Sequence, residues 1–166
     1  MSSESYPRIL VLGFGAPSMG DDGVGVAALE GLRARGFGRN GEDLVRGDLH
    51  GRELFDLLER YDRALVLDAV PGGVDPAGTL IEADLREARF LLRSRPAFRD
   101  LDFGTAFLLA RELDLRLPEV EFLLMRVRET GPVEGFSDPV SRALPRMIDA
   151  AIRKLRFYRT VSGRTA

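Results

Sequence analysis

Two short, unbroken apolar runs constrain this chain more than any other feature. Ile9-Leu10-Val11-Leu12 ends at Gly13, and Ala64-Leu65-Val66-Leu67 continues through Asp68 into Ala69-Val70. A strand with one wet face alternates apolar and polar residues, whereas a strand covered on both faces does not. Both runs therefore demand cover from two sides, and helical stretches are at hand to supply it. One pattern runs from about Asp22 to Arg35 and closes at Gly36, and a second runs from Arg52 to about Tyr61. A closing helix spans Pro139–Phe157, with Ser137 or Asp138 as its cap and Pro139 suited to its first turn. Pro145 inside that helix is expected to kink it. Leu44 and Val45 mark a weaker strand, Glu119–Val127 is a further apolar one, and the alternating Thr79–Ala83 reads as an edge strand. Phe103–Leu113 looks helical, while arginine-rich Arg86–Arg99, broken by Pro96, has no readable period. Strands alternating with helices across short loops predict an α/β fold, a mostly parallel sheet between two helical layers. One domain is expected over residues 1–166, with its core at about 8–157 and polar tails.

Charge and composition narrow the function. The 24 Lys+Arg are offset by 26 Asp+Glu, a net charge of -2, so neither nucleic acid nor an anionic membrane surface is an expected partner. Met1–Pro7 is polar, and no apolar run approaches the ~20 residues of a membrane span. A cytoplasmic protein, monomeric or weakly homo-oligomeric, is expected. Without cysteine, disulfides, thiolate metal sites and thiol nucleophiles drop out. His50 is the single histidine, which removes two-histidine zinc motifs.

In such sheets functional groups gather beyond the carboxyl ends of the strands. Three segments qualify: Gly13–Gly25, Gly47–Gly51 and Asp68–Gly73. Gly13-Phe14-Gly15 opens like a dinucleotide loop, but Ser18 replaces the third glycine and Asp21-Asp22 would oppose a phosphate. A helix N-terminus favours carboxylates, so Asp21 can cap the helix with Asp22 in its first turn. Gly23 and Gly25 cost a helix ~1 kcal/mol each relative to alanine, which implies a close approach to that turn. Asp68 directly follows apolar residues, where a carboxylate needs hydrogen bonds, a counter-charge or a metal. Asp22 and Asp68 share the predicted sheet edge and can converge on one cation. A borderline metal such as nickel or zinc would add a nitrogen, and His50 in its loop is the nitrogen within reach. Ser18 has no histidine near it in sequence and is not read as a nucleophile.

The run Ile9–Gly15 followed by Asp21-Asp22-Gly23-Val24-Gly25-Val26 resembles the hydrogenase maturation endopeptidases. These proteases trim the C-terminal extension of the nickel–iron hydrogenase large subunit. The likeness continues in Gly47, Gly51, Glu53 and Leu54, in Leu67-Asp68-Ala69, and in Glu134-Gly135-Phe136-Ser137 leading into Val140, about Arg8 to Leu155 in all. It implies a phosphorylase-like α/β/α sandwich around a twisted five-stranded sheet. It also implies that Asp22 and Asp68, the catalytic aspartates, join a histidine on a metal. That metal is the nickel already loaded into the large-subunit precursor, so no permanent cofactor is expected. Two positions depart from the family. Ala16 stands where asparagine is usual, and Leu101 stands at the expected histidine, flanked by Asp100 and Asp102. Three readings follow: Asp100 or Asp102 supplies an oxygen after a shift in register, His50 fills the place, or the chain no longer reads nickel and is a divergent peptidase or a binding or chaperone relative.

Overall fold

The structure, a computed structural model, describes residues 6–48, 52–93, 112 and 114–161. The first apolar run forms β1 (Ile9–Gly13), buried at every position. It pairs in parallel with β2 (Glu42–Arg46) on one side and β3 (Arg63–Pro71) on the other. β3 pairs in parallel with β5 (Glu119–Val127), and β4 (Leu80–Ala83) closes the far edge antiparallel to β5. The result is a five-stranded sheet in the order β2-β1-β3-β5-β4. The predicted edge strand is present, and the third apolar run spans β5 as expected.

Helices cover both faces. Side chains alternate along each strand, so Val11, Leu65, Leu67 and Met125 pack on one side, against α1 (Val24–Ala34) and α4 (Asp138–Val161). Leu10, Leu12, Val66 and Leu124 pack on the other, against α2 (Arg52–Leu58) and α3 (Leu85–Leu91). The arginine-rich stretch thus begins as a helix. Asp84 starts it by accepting from the Glu87 N–H at 2.8 Å, while Glu87 accepts from the Asp84 N–H at 3.0 Å. The rest of that stretch, and Phe103–Leu113 apart from Glu112, lies outside the described residues. α4 continues through Pro145, which is exposed. The Ser141 carbonyl, deprived of its helical donor there, can turn to water. Among the described residues no helix is long and apolar enough to cross a membrane.

Near the start of β5, charges on four elements neutralise one another. Lys154 of α4 reaches Glu121 at 2.6 Å and Glu82 at 2.9 Å. Arg63 pairs with Glu119 at 2.8 Å, and its guanidinium lies 5.1 Å from the Tyr158 ring centroid. Burial pulls the Lys154 pKa down, but the hydrogen bonds to Glu121 and Glu82 outweigh it and hold the amine above its ordinary value. A raised pKa in the folded state adds stability that is complete below the unfolded value of ~10.4 and fades as pH climbs through the folded one. Lys154→Met is expected to lower the unfolding free energy by about 1 kcal/mol at neutral pH. Urea unfolding should show the gap from wild type shrinking as pH passes beyond the ordinary lysine range.

Candidate functional site

The site region begins where β1 stops. The Phe14 N–H donates to the Leu67 carbonyl at 2.9 Å, and the Met19 N–H donates to Ala16 at 2.9 Å as the loop turns. The helix expected from Asp22 resolves into a 3₁₀ turn, Gly20–Gly23, followed by α1. Glycines permit this compression. A Cβ on Gly15, whose φ is 111°, would lie 1.8 Å from the Asp22 carbonyl oxygen. On Gly25 it would lie 2.3 Å from the Leu67 oxygen and 2.5 Å from that of Phe14, and on Gly23 it would lie 2.7 Å from Pro17 Cα. The close approach inferred for this turn is therefore made by the protein's own backbone.

The two adjacent aspartates have different duties. Asp21 is fully buried and makes no capping bond. It accepts instead from the Ser137 N–H at 2.7 Å, the Ser137 hydroxyl at 2.8 Å and the Glu129 N–H at 3.4 Å. Its own N–H donates to the Glu129 carbonyl at 2.9 Å, and the Gly20 N–H donates to Val133 at 2.9 Å. Asp21 thus ties the loop after β5 to the 3₁₀ turn, which corrects its reading as a helix cap. Ser137 does stand at the start of α4, since its carbonyl accepts from the Ser141 N–H at 2.9 Å, but its hydroxyl serves Asp21. The hint in the sequence was the doubled aspartate, one more than a cap requires.

Asp22 is half-buried, and its Oδ2 accepts from the Ala16 N–H at 2.7 Å. That bond comes from the backbone, so alanine can occupy position 16 without losing it. Asp68 is fully buried, with Oδ1 accepting from the Ala69 N–H at 2.7 Å. It lies within β3, which continues to Pro71 as the run through Val70 implied; the strand that ends is β1, whose last pairing is Gly13 with Leu67. Asp68 is therefore the first β3 residue beyond its neighbour. The 3₁₀ turn and the first turn of α1 rest against Leu67, which brings the Asp22 and Asp68 segments to one edge. The Gly47 N–H donates to the Gly13 carbonyl at 2.8 Å, so the chain leading to His50 also leaves from this edge. His50 itself lies outside the described residues, as do Asp100, Leu101 and Asp102. Ser18 is exposed. Among the described residues no three His, Cys, Asp or Glu side chains are grouped to hold a metal. Asp22 and Asp68 supply two oxygen-bearing side chains toward such a set. A cleft of about 330 Å³ opens between the 3₁₀ turn, at Gly20 and Asp21, and the 129–137 loop, lined in part by Glu129, Val133, Glu134 and Phe136.

Comparison with known proteins points one way. The chain is 27% identical over 156 residues to the hydrogenase expression/formation protein HupD of Rhizobium leguminosarum bv. viciae, covering 92% of this chain and 76% of that protein. It is 32% identical over 109 residues to HupD of Thiocapsa roseopersicina, covering 66% of this chain but only 49% of that protein. Its fold matches the hydrogenase maturating endopeptidase HybD from E. coli with a TM-score of 0.77 at 21% identity, over 90% of this chain and 92% of that one. No family model matches the chain.

The two aspartates should separate in unfolding experiments. Asp21→Ala removes the acceptor of three hydrogen bonds and is expected to cost about 3 kcal/mol. Asp22→Asn keeps an oxygen for the Ala16 N–H and is expected to stay within about 1 kcal/mol of wild type. Denaturant titration of both variants measures the difference.

Proposed function

We propose that this chain, which is similar to the hydrogenase expression/formation proteins over most of its length, is a maturation endopeptidase. It removes the C-terminal extension of a nickel–iron hydrogenase large-subunit precursor in the cytoplasm. The observation that carries this reading is the meeting of the Asp22 and Asp68 segments at one sheet edge, in the fold of a hydrogenase maturating endopeptidase.

Peptide hydrolysis needs an electron-poor carbonyl and a water that can lose a proton. In this reading the nickel is part of the substrate and the enzyme keeps no metal of its own. Asp22 and Asp68 bind it through carboxylate oxygens, and His50 adds the nitrogen that a borderline ion prefers; Asp100 or Asp102 is the alternative donor. The held ion polarises the scissile carbonyl or the attacking water. Because the ligands come from the enzyme and the metal from the precursor, an empty precursor is bound less tightly and is spared. Differential affinity of this kind is the physical content of a checkpoint. The adjacent cleft gives room for the polypeptide on either side of the bond to be cut.

One observation favours a second reading. Leu101, at the position where the family's histidine is expected, cannot ligate a metal. In that reading the chain is a binding relative that recognises the precursor without cutting it.

Incubation with nickel-loaded precursor separates the two. Wild type is expected to shorten it, and Asp22→Asn and Asp68→Asn are expected to slow the reaction about a hundredfold or more. Precursor left intact by wild type would favour the binding relative. Nickel or cadmium titration adds an arm that needs no cleavage: Asp22→Ala and Asp68→Ala should each bind at least about tenfold more weakly. Equal, weak binding by all three proteins would sink metal recognition at this edge. Unchanged binding by His50→Ala would remove His50 from the ligand set.

A further inference from the structure

Arg126 is a buried cation that the fold itself does not satisfy. Asp21, Glu42, Asp68 and Arg126 are the buried charged side chains among the described residues. Asp21 and Asp68 accept short hydrogen bonds, and Glu42 is paired with Arg159, although its Oε2 has no hydrogen-bond partner among the described residues. Arg126 has one ionic contact, Nη2 to Asp75 Oδ2 at 3.3 Å, with its side chain 7% exposed and that of Asp75 46% exposed. Its Nε, fully covered, has no hydrogen-bond partner among the described residues. A buried donor left open is costly, and an apolar side chain would suit a purely structural position better. Such an exception calls for an explanation.

Its position supplies one. Across β3 and β5, Asp68 stands opposite Leu124 and Val70 stands opposite Arg126. Residues two apart on a strand share a face, so Arg126 lies on the Asp68 face, one step further toward the edge where Asp22 sits. Its backbone is fixed: its N–H donates to Thr79 at 2.8 Å and its carbonyl accepts from the Gly78 N–H at 2.8 Å. The cover over its guanidinium is slighter. A Cβ on Gly73 would lie 2.6 Å from Arg126 Cζ, and Gly72, Gly73 and Gly78 all have positive φ. A loop built this way rests on the cation by backbone contact and one long ion pair.

We propose that Arg126 is a carboxylate-recognition site for the polypeptide substrate, and that Asp75 occupies it in the free protein. A guanidinium accepts a carboxylate most strongly through two parallel N–H donors. Asp75 engages a single Nη at long range and leaves Nε open, so an incoming carboxylate that spans Nε and Nη gains what Asp75 does not provide. Exchange frees a half-exposed aspartate to water and anchors the substrate on the strand beside Asp68, two residues further along the sheet. The ligand is an Asp or Glu side chain, or a chain-terminal carboxylate, on an extended segment. This inference rests on the proposed function, which supplies the polypeptide.

The test uses the full chain and three synthetic peptides, followed by the NMR signal of the Arg126 Nε–H. They are acetyl-Ala-Ala-Glu-Ala-Ala amide, its glutamine counterpart, and that glutamine peptide with a free terminal carboxylate. A carboxylate peptide is expected to move the signal and to bind about fivefold or more tighter than the glutamine amide. The tighter of the two carboxylate peptides identifies the source. Asp75→Asn should tighten carboxylate binding severalfold, and Arg126→Gln should erase the preference. Equal binding of all three peptides to wild type, or an unchanged preference in Arg126→Gln, overturns the proposal. Should Arg126→Gln fail to fold, unchanged carboxylate affinity in Asp75→Asn overturns it equally. A preserved preference in a protein that never shortens the precursor supports this site and removes the peptidase reading instead.

Discussion

The distance between the first turn of α1 and the backbone of β3 governs the rest of the site. At Gly25 that gap leaves no room for a single carbon, since a Cβ would sit 2.3 Å from the Leu67 carbonyl oxygen. A helix normally stands off a sheet by the thickness of its side chains, about 10 Å between axes and strands. Here the contact is main chain on main chain. The 3₁₀ turn carrying Asp22 is consequently lowered onto the residue that precedes Asp68. On the other flank Gly47 makes room for a side chain instead, since a Cβ there would collide with the Phe14 ring at 2.5 Å. Glycines with nothing chemical to offer thus decide where the carboxylates meet.

Electrostatic satisfaction is unevenly spread over the same sheet. Toward the beginning of β5, Lys154, Arg63, Glu82, Glu119 and Glu121 form a closed set of ion pairs, and Arg159 neutralises Glu42 on β2. Toward the carboxyl ends Arg126 keeps an open donor. Stability and function commonly divide a fold in this fashion, with unfavourable local arrangements tolerated where a ligand completes them.

What the sequence disclosed follows from how local each signal is. β1, β3 and β5 were legible because a doubly covered strand writes its burial directly into consecutive residues. The sheet-edge rule then brought Asp22 and Asp68 to one place. Asp21 was misread because its partners lie 108 and 116 residues away, beyond any periodic pattern. The Asp84–Glu87 capping box was present in the sequence but hidden among arginines. Arg126 sat inside an apolar strand and drew no notice, since hydrophobic periodicity is blind to one buried cation. The resemblance in sequence carried the family, while His50, Asp100 and Asp102 stand outside the described residues.

The bond between Asp21 and Ser137 also imposes an order of assembly. The 3₁₀ turn leaves the ribosome early, whereas the serine that steadies it follows 116 residues later, at the threshold of α4. Long-range contacts form only after the intervening chain has been gathered in. A nascent chain therefore holds both site aspartates without the geometry that makes them useful. A site built in this sequence acquires its shape only when the final helix docks.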